Sequence, residues 1–239
     1  MILNAVQADI YLHHLAIQSG NPESLANFYS NVMDMSLEKK SQIEFLCKGS
    51  YRRMIITKGE DKTLSYAGMA CRNEINLNKF RNFLFNQKVD TKDFISNAFK
   101  SGSFSVKDPD QNMICFGVPA DNDSSFTKGI QGSLQHLTFA SKDVEAFQNF
   151  YNKQLGFEVT DRVLTADGSL TTCFTTSNHE HHTIACFKSD RKGMDHHSYE
   201  AGEWNYIKDW CDHFASKDIQ LMWGPGRHGP GNNLFIFIE

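Results

Sequence analysis

Residues 134–157 read LQHLTFASKDVEAFQNFYNKQLGF, and 122 positions earlier residues 12–35 read LHHLAIQSGNPESLANFYSNVMDM. Three clusters keep one spacing: His14-Leu15, Asn27-Phe28-Tyr29 and Met33-Asp34-Met35 answer to His136-Leu137, Asn149-Phe150-Tyr151 and Leu155-Gly156-Phe157. Self-similarity at a fixed period means that one supersecondary unit is written twice, so it governs the whole fold assignment.

Each copy reads as a strand with alternating apolar positions (Leu15 and Ile17; Leu137 and Phe139), a polar turn, and a helix. In the second copy Ser141, Lys142 and Asp143 precede Val144, Phe147, Tyr151 and Leu155, whose spacing of three to four residues is that of an amphipathic helix with a capped start. Further strands are expected at Arg53–Thr57, Leu170–Thr175 and His182–Phe187, and second helices near Asn76–Asn86 and Trp204–Ala215. The first copy closes with strand Phe104–Lys107, a turn at Asp108-Pro109-Asp110-Gln111-Asn112, and strand Met113–Val118; Pro presets the turn and Asp and Asn cap it locally. The second copy reaches the counterpart Leu234–Glu239, and the strand matching Met113–Val118 is expected past residue 239. The predicted fold class is therefore α+β, built from tandem βαβββ modules: residues 1–118, a small polar linker at 119–132, and residues 133–239.

Composition narrows the partner. The 239 residues are 40% hydrophobic, 22% charged and 12% aromatic, with a formal net charge of −4 and no basic block, which gives no electrostatic footprint for nucleic acid or an anionic membrane. The longest purely apolar stretch, Leu234–Ile238, is far short of the roughly 20 residues of a membrane span. The start, MILNAVQADIYLHH, lacks the basic and apolar regions of a signal peptide, so a cytoplasmic location is expected. Six dispersed cysteines without a C-x-x-C pair read as reduced, mostly buried thiols. A small molecule is the expected partner and a homo-oligomer the expected assembly.

Histidine is the one oddity: eight of ten lie between His136 and His228. His136 sits on the first strand of the second copy; alone, a histidine there is more readily a satisfied core residue, and four in one half shift that balance. His182 opens an apolar run, and His197, fifteen residues on in Asp195-His196-His197-Ser198-Tyr199, suits an adjacent strand across the charged turn Lys188–Gly193. His228 lies in Trp223-Gly224-Pro225-Gly226-Arg227-His228-Gly229-Pro230-Gly231, which leads into a strand and lacks the Lys and following helix of a phosphate loop. That segment reads either as a plain turn or as a place where a polar side chain can approach a ligand closely.

The doubled pattern, with its strand-initial His, Phe-Tyr on the first helix and Gly-Phe-turned strand, resembles the vicinal oxygen chelate superfamily, which includes glyoxalase I, bleomycin-resistance proteins and the type I extradiol dioxygenases. The His136, His182, His197 and His228 set resembles the C-terminal module of the dioxygenases. That resemblance implies a metal held by His136 and His197, with His182 and His228 as catalytic acid-base groups, and substrate-binding roles for Phe187, Tyr199 and Phe237, the last standing where the family commonly has Tyr. It also implies Fe(II), with Mn(II) as an alternative, O2 as co-substrate, and cleavage of a catechol-like aromatic ring. Two imidazoles and a carboxylate on one face of such a metal leave adjacent positions open for two reactants. The carboxylate is expected past Glu239, and the first module, with Cys115 at the corresponding place, is expected to be metal-free. Two other readings remain open: another metal-dependent enzyme of the superfamily (isomerase, lyase or thiol transferase), and a non-catalytic protein that binds an aromatic ligand.

Overall fold

The computed structural model describes residues 2–121, 130 and 132–239; of the expected linker, residues 122–129 and 131 lie outside them. The first half runs β1 (Tyr11–Ser19), α1 (Pro22–Asn31), β2 (Ser36–Lys39), β3 (Glu44–Gly49), β4 (Arg52–Lys58), then β5 (Thr63–Ala70), α2 (Glu74–Asn86), β6 (Lys92–Asp93), β7 (Phe104–Lys107) and β8 (Met113–Gly117). Helix starts follow their caps: the Asn21 and Asn73 side chains accept from Ser24 N and Asn76 N, and Pro22 presets the first turn of α1.

This is a βαβββ unit twice within the first half alone, so the repeat of 122 residues contains a shorter one that the sequence reading passed over. The sheet order shows it: β2-β3-β4-β1-β5-β8-β7-β6 is a palindrome of two four-stranded units meeting at the antiparallel β1–β5 pair. Strand β5, TLSYAGMA, was missed because Gly, Ala and Ser weaken its alternation.

The second half runs β9 (Ser133–Ser141), α3 (Val144–Gln148) continued by a π-turn over Asn149–Gln154, β10 (Glu158–Leu164), β11 (Leu170–Thr176), β12 (Ile184–Lys188), β13 (Gly193–Glu200), α4 (Trp204–Ser216), β14 (Trp223–Arg227) and β15 (Leu234–Phe237). Its main sheet has the order β10-β11-β12-β9-β13, with β14-β15 forming a separate ribbon. His182 stands two residues before β12, short of the expected strand start, and His197 lies on β13; these strands are not neighbours, because β9 lies between them, parallel to β12 and antiparallel to β13. In the first half β8 joins β5 to β7; among the described residues of the second half no strand fills the corresponding place between β13 and β15. The expected glycine-rich loop is in part strand β14, and His228 stands just beyond its end.

One apolar core runs through both halves, from Leu12, Leu15 and Phe45 to Leu137, Phe139, Phe147 and Cys186. Two tyrosines at corresponding places reach across: Tyr29 OH lies 3.4 Å from His197 Nε2, and Tyr151 OH donates to Asp108 Oδ2 at 3.4 Å. Buried Arg52 donates to the carbonyls of Met33, Asp34, Ile130 and Gly132, and such bonds from a charged donor, worth about 1.5–3 kcal/mol each, offset its burial. No described helix is long and apolar enough to cross a membrane.

Candidate metal centre

The site is one face of β9 and its two neighbours. Residues directly opposite in paired strands share a face, and alternate residues along a strand do too. His136 faces Ser198 across β9–β13, Thr138 faces His196, and Leu137 faces His197. His136 and His196 thus share a face, while His197 joins Leu137 on the other.

Ring positions agree. The His136 ring centroid is 4.1 Å from that of His182 and 5.7 Å from that of His196. His197 instead lies against Tyr29 and Tyr199, with Tyr199 OH 3.2 Å from its Nε2. The expectation of His136 and His197 as a pair is corrected on this point: the second imidazole beside His136 belongs to His196. Parity could not be counted along β13 because its register against β9 shifts between Met194 and His196.

The remaining residues sort the same way. Buried His182 has the Phe174 ring edge-on at 5.1 Å and His181 Nδ1 3.0 Å from its own Nδ1. His228 lies flat on Phe235 at 4.1 Å and edge-on to Trp223 at 5.5 Å. Phe237 comes within 5.5 Å of His196 and 6.1 Å of His228, so it sits at the cluster. Phe187, opposite Ala140, lies on the His136 face further along the strand. Tyr199 does not: it belongs with His197 and Tyr29 on the opposite face, which removes it from the expected substrate-contacting set.

Burial favours the neutral form of His136, His182 and His228. Burial holds His136 well below the usual imidazole pKa, reinforced by His182, His196, His197 and His228. Burial, then His181, His196 and His228, lowers His182 to about 3; burial lowers His228 as well. A cluster that cannot carry several positive charges presents lone pairs, which is what a divalent metal requires. The Nδ1 atoms are already engaged: Gln135 Oε1 lies 3.1 Å from His136 Nδ1, and Asp195 Oδ2 lies 2.8 Å from His196 Nδ1. Nε2 is left as the ligating atom of each, so the donors fit a metal that accepts imidazole. The carboxylate side is different. Among the described residues, the one set of three His, Asp or Glu ligand atoms all within 4.8 Å of one another is His179, Glu180 and Glu200. Glu239 lies 4.0 Å from Lys62.

Sequence reading missed His196, Gln135, Asp195, Phe174 and Phe235. Of these, His196 carried a signal, since it stands beside a residue already singled out; the others owe their places to register.

Comparison with known proteins now bears on the site. Residues 133–239 match the model of the Glyoxalase/Bleomycin resistance protein/Dioxygenase superfamily. A stretch of 105 residues is 26% identical to Metapyrocatechase 2 of Cupriavidus necator, covering 44% of this chain and 32% of that protein. A stretch of 129 residues is 22% identical to Metapyrocatechase of Pseudomonas sp. (strain CF600), covering 51% of this chain and 42% of that protein. The matches thus span less than half the length of these curated relatives. Among solved structures, a catechol 2,3-dioxygenase superposes with a TM-score of 0.80 at 17% identity, over 95% of this chain and 88% of that one. A homoprotocatechuate 2,3-dioxygenase variant from B. fuscum also gives 0.80, at 18% identity over 96% and 68%. These likenesses are of fold.

Proposed function

From the match of residues 133–239 to the Glyoxalase/Bleomycin resistance protein/Dioxygenase superfamily model, we propose that the chain works as an extradiol dioxygenase that cleaves a catechol-like ring with O2. The observation that carries this reading is the gathering of four histidines, His136, His182, His196 and His228, around one sheet face, in a module whose relatives are metapyrocatechases. His136 and His196 would hold Fe(II), or Mn(II) in its place. When bound, such a metal supplies a shared anchor for the two catechol oxygens and O2 and a path for electrons between them.

The chain's own groups do the rest. His182 is neutral and can accept a catechol hydroxyl proton at a ring nitrogen. His228, held flat by Phe235, is placed to hydrogen-bond a substrate oxygen. Phe237 offers a ring edge and no hydroxyl, so it orients the substrate by packing. The first half is proposed to hold no metal.

The test is anaerobic reconstitution with Fe(II), a panel of catechols, then O2. A yellow ring-fission product is expected, with iron quantified alongside; bound iron and no product from any catechol would overturn the reading. His228→Ala should keep its iron and lose turnover by about 10²–10⁴-fold. A second reading, an aromatic-binding protein without turnover, is favoured because the one compact set of three ligand atoms among the described residues, His179, Glu180 and Glu200, includes neither His136 nor His196. It predicts catechol binding that is indifferent to iron.

A further inference from the structure

Several histidines on these sheets share one device: Nδ1 is engaged by the residue just before it. His13 Nδ1 lies 2.8 Å from His14 Nδ1, His181 Nδ1 3.0 Å from His182 Nδ1, and Asp195 Oδ2 2.8 Å from His196 Nδ1. Gln135 does the same for His136, with Oε1 at 3.1 Å. The Gln135 case is singular. A side-chain amide has one accepting and one donating end, and its two orientations impose opposite proton positions on the ring. With Oε1 toward His136, Nδ1 must carry the hydrogen and Nε2 keeps its lone pair. With the NH2 end toward His136, the hydrogen moves to Nε2 and the ring can no longer ligate through that atom.

The structure fixes the orientation from outside the site. Gln135 Nε2 donates to Glu180 Oε2 at 2.8 Å; burial and the adjacent Glu200 raise the Glu180 pKa, and the Gln135 amide opposes them by favouring the ionised carboxylate, which has acceptors only. Glu180 is itself held in place: its side chain is only 13% exposed, and its other oxygen lies 3.3 Å from His179 Nε2. We infer that Gln135 and Glu180 are positioning residues, a carboxylate–amide–imidazole relay that sets the tautomer of His136 so that Nε2 is the free lone pair. This rests on the proposed role of His136 as a metal ligand. The relay itself is a property of the metal-free protein.

The test uses the full chain, folded as judged by near-ultraviolet circular dichroism, at neutral pH. The first readout, taken without metal, is the proton position on His136 from ¹⁵N NMR of the imidazole nitrogens. The second is the Fe(II) dissociation constant measured anaerobically. The parent should show Nδ1–H at His136. Gln135→Leu should shift population to Nε2–H and weaken Fe(II) binding by about 10–100-fold, the usual effect of losing a group that orients a metal-bound histidine. Glu180→Gln, which leaves Gln135 present but its orientation undetermined, should give a mixture. Gln135→Glu combined with Glu180→Gln reverses the hydrogen bond between the two side chains but keeps an acceptor toward His136, and should restore Nδ1–H. Nε2–H in the parent, or an unchanged proton position in both single variants, would overturn the inference. A parent that binds no Fe(II) while the proton positions follow this pattern would remove the proposed function and leave the relay standing.

Discussion

The two halves place a histidine at the same point of the same strand and give it opposite surroundings. His14 on β1 is fully buried against Phe99, whose ring centroid is 4.9 Å away, and its Nε2 lies 3.3 Å from Tyr66 OH. The backbone of Gly68 lies so close to it that a β-carbon there would fall 2.1 Å from the imidazole. Arg53, ion-paired with Asp121 at 2.7 Å, acts on it electrostatically. His136 on β9 meets imidazoles where His14 meets these groups. Scaffold position therefore does not make a ligand. The neighbouring elements do: Phe99, Tyr66 and the Gly68 backbone close around His14, whereas His182 and His196 stand beside His136.

The sharpest way to break this contrast is to remove the histidines in turn. His136→Ala or His196→Ala should eliminate metal binding and turnover, while His14→Ala leaves iron per chain unchanged; iron retained by the His196 variant would dissolve the site as drawn. Next in size, Phe99→Ala should cost about 3–5 kcal/mol of stability by opening a cavity beside His14, without altering iron content, as denaturant unfolding and metal analysis would show.

His197→Phe should cost about 1–3 kcal/mol through the lost partner for Tyr29 and Tyr199 and leave metal binding intact, which separates it from its neighbour His196. Smallest is a pH effect in the first half. Burial raises the Asp108 pKa to about 6, above its unfolded value near 4, so its ionisation costs stability as pH rises through that window and costs nothing below it. Relative to the parent, Asp108→Asn should gain up to about 2 kcal/mol between pH 4 and pH 7, read from unfolding midpoints across pH; a pH-independent difference would refute the assignment.

Much of this was legible in the chain. Helix α4 was read at Trp204–Ala215 and is found at Trp204–Ser216, and strand β7 at Phe104–Lys107 is found as read, because apolar periodicity and turn chemistry are local signals. The finer repeat was harder. Strands β3 and β5 carry short or Gly- and Ala-containing runs whose pairing is decided by partners far along the chain.

What the sequence alone determined is the α+β class, the doubled unit, and the gathering of histidines in the second half, since period, composition and spacing are properties of the string. Which imidazoles meet was settled by folding. A register shift at Asp195 turns His196 toward His136 and His197 toward Tyr29, and a step of one residue in a strand exchanges the two faces of a sheet.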